Sequence, residues 1–141
     1  MKFSINNILL LQLLFLSLSG ITAWQKISAL IVPEWFLKKF EHSFFGMIPL
    51  GIPLAFYTII VLETAVAIAF IISLLKMEFR NNASRNWLCL GLDLSMLLFL
   101  ILFFGSFLVS DYSNGALDFM YFGFSFFMKR EFSKESKENA G

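Results

Sequence analysis

One cysteine, Cys89, and one histidine, His42, serve the whole 141-residue chain. A lone cysteine excludes an intramolecular disulfide, a Cys-x-x-Cys redox pair and a thiolate metal cluster. A lone histidine excludes the paired imidazoles of a b-type haem and a histidine-rich metal site, so no metal and no resident cofactor are expected. Charge is also scarce: 15% of residues are charged, against about 25% in an ordinary soluble domain. Eleven basic and ten acidic residues leave a net charge of +1, which offers no basic field for nucleic acid. Cys89 reads as a small packing residue, because free cysteines pack as hydrophobes and nothing beside it activates a thiol. His42 reads as a polar-face residue.

What fills the chain instead is apolar: 58% hydrophobic and 18% aromatic residues, nineteen of them phenylalanine, with a mean hydropathy of +0.76. At about 20 apolar residues per bilayer crossing, this leaves room for three or four transmembrane helices and no separate soluble catalytic domain. The first run covers 8–32, opened by Asn6 and Asn7 as capping residues and closed by Pro33. A signal peptide is the rival reading, since Lys2 precedes an apolar core and Ser17-Leu18-Ser19 stands before Gly20. Apolar and small residues continue past that point to Ala29, which favours a retained span.

Residues 33–45 have Phe36, Leu37, Phe40 and Phe44 at helical spacing, with Glu34, Lys38, Glu41 and His42 mostly opposite. This predicts a short amphipathic helix in the membrane interface, ended by Gly46. Pro49, Gly51 and Pro53 then make a stiff approach to a second span over 53–75. A loop with Lys76, Arg80 and Arg85 leads to a third span over 87–109, and a polar turn leads to a short fourth over 112–128. Residues 129–141 read as a solvated tail. The expected fold is all-α: one membrane domain over 1–128, a four-helix bundle with an interfacial helix between its first two spans.

Lysine and arginine then divide unequally between the two faces. Lys2, Lys76, Arg80, Arg85, Lys129, Arg130, Lys134 and Lys137 fall on one side, and only Lys26, Lys38 and Lys39 on the other. Positive charge stays inside, so both termini are expected in the cytoplasm. Asn82-Ala83-Ser84 fits a glycosylation acceptor but would be silent on that side.

Polar residues within the apolar runs are the candidates for function. Glu63 stands near the middle of the second span, where a charged carboxylate costs about 2.5 to 3.5 kcal/mol. It needs a partner or a proton, and it serves either as polar glue between helices or as a proton-carrying or ligand-binding carboxylate. Ala65 with Ala69, and Gly91 with Ser95, make small-residue notches for close helix approach. Asp93 reads as exposed near a helix end, or in contact with Arg85 or Lys76. Asp111 reads as a loop or capping residue. Gln25, Lys26, Glu63, Asp118 and Tyr121 would populate the outer half of one interior if their faces turn inward. No catalytic residue stands out.

Lys26 stands near the outer end of the first span, where lysines usually snorkel; the alternative is that it meets Glu63. Lys26 lies roughly 9 Å below the outer end of its span and Glu63 roughly 15 Å below that of an antiparallel neighbour. Helical side chains lean toward their own N-terminus, which closes the remaining gap.

The chain resembles the DoxX-like family of small four-helix membrane proteins. The likeness rests on Gly20 to Lys26 closing the first span, the aromatic and proline-bearing loop through Pro49, and Glu63 followed by small residues and a basic loop. It continues through Asp111-Tyr112-Ser113-Asn114-Gly115-Ala116-Leu117-Asp118-Phe119. Where relatives often carry glycines after the membrane glutamate, this chain has Ala65, Ala67 and Ala69. The resemblance implies a bacterial cytoplasmic membrane and an accessory or scaffold role in a membrane redox or stress-response complex, without enzymatic activity on its own. Its alternatives are a small transporter or quinone-site protein using Glu63, and a subunit of a sulfur-compound:quinone oxidoreductase. The expected partners are the lipid bilayer, a membrane or redox protein, and a second copy of the chain; quinone enters only through the resemblance.

Overall fold

The computed structural model describes residues 4–29, 31–80 and 83–138. Their regular structure is helical throughout: α1 (Ile5–Ala29), α2 (Glu34–Phe40), α3 (Phe44–Met47), α4 (Gly51–Leu75), α5 (Asn86–Leu108) and α6 (Tyr112–Glu138). By length and composition α1, α4 and α5 are each able to cross a membrane. Large apolar side chains cover their outer surfaces as well, among them Leu10, Leu14, Val61, Leu100 and Phe104. A helix apolar on every face needs lipid around it, and the chain is a multi-pass integral membrane protein.

The long helices pack in chain order: α1 lies on α4, α4 on α5 and α5 on α6. Phe15 of α1 joins this interior from both sides, stacking on Phe70 of α4 at 5.2 Å and on Phe124 of α6 at 6.1 Å. Where α1 meets α4, Gly20 faces Ala67, so the close approach runs through Ala67. Where α4 meets α5, the Phe70 ring lies against bare Gly91 backbone, 3.0 Å from where a β-carbon would stand. Phe70 is fully buried and held by Phe15, so it has little room to withdraw. Gly91→Val should therefore destabilise by about 1–3 kcal/mol through overpacking, seen as a lower melting temperature in detergent. A gain over the parent protein would show that the ring yields.

Several helix ends differ from the sequence-based expectation. Helix α1 begins before Asn6 and Asn7, and Ser4 accepts the Asn7 N–H on its hydroxyl at 3.4 Å. Serine oxygen is a better fit to the free amides of that first turn than asparagines already inside it. The single helix expected over 33–45 is two, broken at Glu41–Ser43. Ser43 turns its hydroxyl onto the Phe40 carbonyl at 2.7 Å and closes α2 there, and Gly46 lies inside α3 instead of ending a helix. Phe36 and Phe40 are buried while Leu37 and Phe44 are exposed. His42 is exposed in the break itself.

The solvated tail expected after residue 128 is likewise corrected. Helix α6 continues without interruption to Glu138, and Phe132 is completely buried. Its ring receives the Arg85 guanidinium at 5.2 Å, which gives an isolated phenylalanine among charged residues a place to pack. Asn82 of the glycosylation-like triplet lies outside the described residues.

Candidate functional site

Polar groups gather at two levels. The first is the α2–α3 end, where Lys26 Nζ donates to Glu63 Oε1 and bridges α1 to α4. Glu63 is 5% exposed and Lys26 24%, so the carboxylate is inside the protein and the ammonium reaches it from the rim. The other carboxylate oxygen, Oε2, is buried without a hydrogen-bond partner among the described residues.

Two cavities adjoin this pair. One of about 150 Å³ is lined by Ser19, Thr22, Glu63, Ser95, Asp118 and Tyr121 together with apolar side chains. The other, about 310 Å³, lies toward α2 and is lined by Lys26, Trp35, Lys39, Ser106, Asp118 and Tyr121 among others. Asp118 and Tyr121 border both. Asp118 accepts the Ser106 hydroxyl at 3.2 Å, and the Tyr121 ring lies 5.2 Å from that of Phe99. The structure thus brings Lys26, Glu63, Asp118 and Tyr121 to one place, whereas Gln25 is exposed and lines neither space.

Asp111, in the turn between α5 and α6, fixes α2 above these cavities by accepting from Lys39 Nζ at 2.6 Å. It also accepts from the Asn114 backbone N–H and side-chain amide, which makes it the cap of α6. The Lys39 hydrogen bond, followed by those from Asn114, holds the Asp111 carboxyl below the usual carboxylate range. A depressed folded pKa contributes stability above the unfolded value of about 3.9 and loses it as pH falls through the folded one. The melting-temperature difference between the parent and Asp111→Asn should therefore hold at neutral pH and shrink below about pH 4. A difference independent of pH would refute the contribution of that ionised contact.

The opposite end holds a second network. Gln12 of α1 donates to Ser73 of α4 at 2.7 Å, and Ser73 donates to Glu78 at 2.9 Å. Glu78, fully buried in the α4–α5 loop, accepts the backbone N–H groups of Trp87 at 3.2 Å and Leu88 at 2.7 Å. Those amides belong to the first turn of α5, where helical partners are lacking and the dipole favours a negative charge. Asp93 is paired there with Lys129 of α6. Of the two alternatives expected for Asp93, partial exposure holds, with its side chain 43% exposed; contact with Arg85 or Lys76 does not, since Arg85 packs on Phe132 and Lys76 lies 5.3 Å from the Trp87 ring.

Sequence reasoning missed Glu78, Gln12 and Ser73, because a charged loop residue beside Lys76 looks solvated and single polar residues in apolar runs are common. Cys89 is half-buried and packs against the core. Among the described residues no group of three or more metal-ligating side chains is gathered. Compared with family models, curated proteins and solved structures, the chain matches none.

Proposed function

We propose that this is a DoxX-like four-helix membrane bundle that acts as an accessory subunit or scaffold of a membrane redox or stress-response complex. In this reading α6 is the fourth span, α2 lies in the outer interface, and both termini face the cytoplasm of a bacterium. The supporting observation is that charges within the helical body are used to join its own helices: Lys26 with Glu63 and Lys129 with Asp93. Such pairs set helix register and leave the apolar outer faces for lipid and protein partners. The positive-inside count supports the orientation. Reporter fusions should place Arg80 and Lys134 in the cytoplasm and Lys39 outside; the reverse would reject it.

Affinity purification in mild detergent tests the role. An oxidoreductase or stress-response protein should co-purify in fixed ratio. A chain that purifies alone and conducts protons when reconstituted would replace this reading with the transporter alternative, which Glu63 Oε2, without a hydrogen-bond partner among the described residues, favours. A quinone fits the cavities only in part: its carbonyls suit the Lys26 ammonium, but they supply no donor for Asp118 or Glu63 Oε2.

A further inference from the structure

We propose that the 310 Å³ cavity, together with the apolar groove beside it, binds a phospholipid whose head carries both a phosphate and a primary ammonium. The groove has a volume of about 600 Å³, and its walls include Phe45, Leu54, Leu100 and Phe104. Phe36, Phe40, Ile59, Ile101 and Gly105 line both spaces, so the two meet along a shared wall. Each volume falls within the range of about 300–1,000 Å³ that small-molecule sites occupy. Leu54, Leu100 and Phe104 are exposed on the apolar surface, so an acyl chain reaches the groove from the surrounding lipid without crossing water.

The polar cavity selects the head. Lys26 and Lys39 line it, each with one carboxylate partner, and an ammonium has three donors. Each lysine retains hydrogen-bonding capacity for phosphate oxygens. Asp118 also lines it, accepts only the Ser106 hydroxyl, and has no ion-pair partner among the described residues. A carboxylate in that position complements a cation with N–H donors, and Trp35 and Tyr121 supply aromatic faces beside it. A purely anionic head would confront Asp118, and a purely cationic one would offer no acceptor to the remaining N–H groups of the two lysines. A zwitterionic head satisfies both signs, and a quaternary ammonium, with no N–H to donate, forgoes the hydrogen bond to Asp118 that a primary ammonium makes.

This inference is independent of the accessory role, since lipid selection and partner recruitment have separate readouts. The test is lipid competition followed by native mass spectrometry of the purified protein. Phosphatidylethanolamine, phosphatidylcholine and phosphatidylglycerol with identical acyl chains are supplied in equal amounts. A charge-assisted hydrogen bond corresponds to about tenfold in affinity, so phosphatidylethanolamine should be retained about tenfold over either competitor. Asp118→Asn should abolish that preference. Gly105→Leu, which fills the shared wall beside the Phe40 ring, should reduce retention of all three lipids. Melting temperatures in lipid-free detergent show whether each variant is folded. Equal retention by the parent protein, a preference for phosphatidylglycerol, or an unchanged preference in folded Asp118→Asn would each overturn the proposal. If a variant does not fold, the competition on the parent protein still decides.

Discussion

Lys26→Met should be among the most damaging single changes in this protein, lowering detergent stability by about 3–5 kcal/mol by leaving the buried Glu63 carboxylate uncompensated. Glu63→Gln should cost less, about 1–3 kcal/mol, because Lys26 is nearer the rim and a lysine stem can carry its charge to solvent. The double variant should recover much of the larger loss, since neither charge then remains stranded. Thermal unfolding of all four proteins in the same detergent supplies the cycle. Losses that simply add would reject the pairing and leave Glu63 as an independent, proton-bearing group. The asymmetry between the two single variants is informative in itself: it follows from exposures of 24% for Lys26 and 5% for Glu63, and would vanish if both were equally wet.

Glu78→Ala should be comparably severe, at about 3–5 kcal/mol. The substitution strands the Trp87 and Leu88 amides and the Ser73 hydroxyl, each at about 1–3 kcal/mol when buried without a partner. Water entering the space would offset part of that sum. Glu78→Gln, which keeps one acceptor oxygen, should lose less. Hydrogen exchange at Trp87 and Leu88 is the specific readout: protection should fall there first, while amides near Gly105 at the other end of α5 stay protected. Uniform loss along α5 would point to general unfolding instead of a lost cap.

Glu78 reaches the α5 amides through backbone geometry that its neighbours do not advertise. Met77 takes a left-handed conformation with φ 53°, and Glu78 N–H returns to the Ser73 carbonyl while Met77 N–H returns to that of Leu74. This is the double closure usually built on glycine. Ser110 repeats it after α5, with φ 57° and Asp111 N–H on the Ser106 carbonyl, which turns Asp111 toward Lys39. A left-handed non-glycine residue costs about 1–2 kcal/mol; the contacts made by Glu78 and Asp111 offset that cost. A polar turn is legible after the third span and a charged loop after the second, but without a glycine to mark them the left-handed closures at Met77 and Ser110 are not.

Membrane residence and the three long apolar helices follow from the sequence alone, because hydropathy and length are local properties that lipid reads directly. The Lys26–Glu63 contact was legible for a related reason: helical rise and the lean of side chains are fixed, so depth along two antiparallel helices can be compared without knowing the fold. Partner choice elsewhere was not local. Asp93 had basic residues nearby in sequence but took Lys129, since the rotation of α5 against α6 determines which cation faces it. The continuation of α6 past residue 128 depended on a pocket for Phe132 that only the assembled chain provides. Glu78 was drawn inward because the free amides of α5 needed an acceptor. Sequence determines what each segment needs; only packing determines which distant group supplies it.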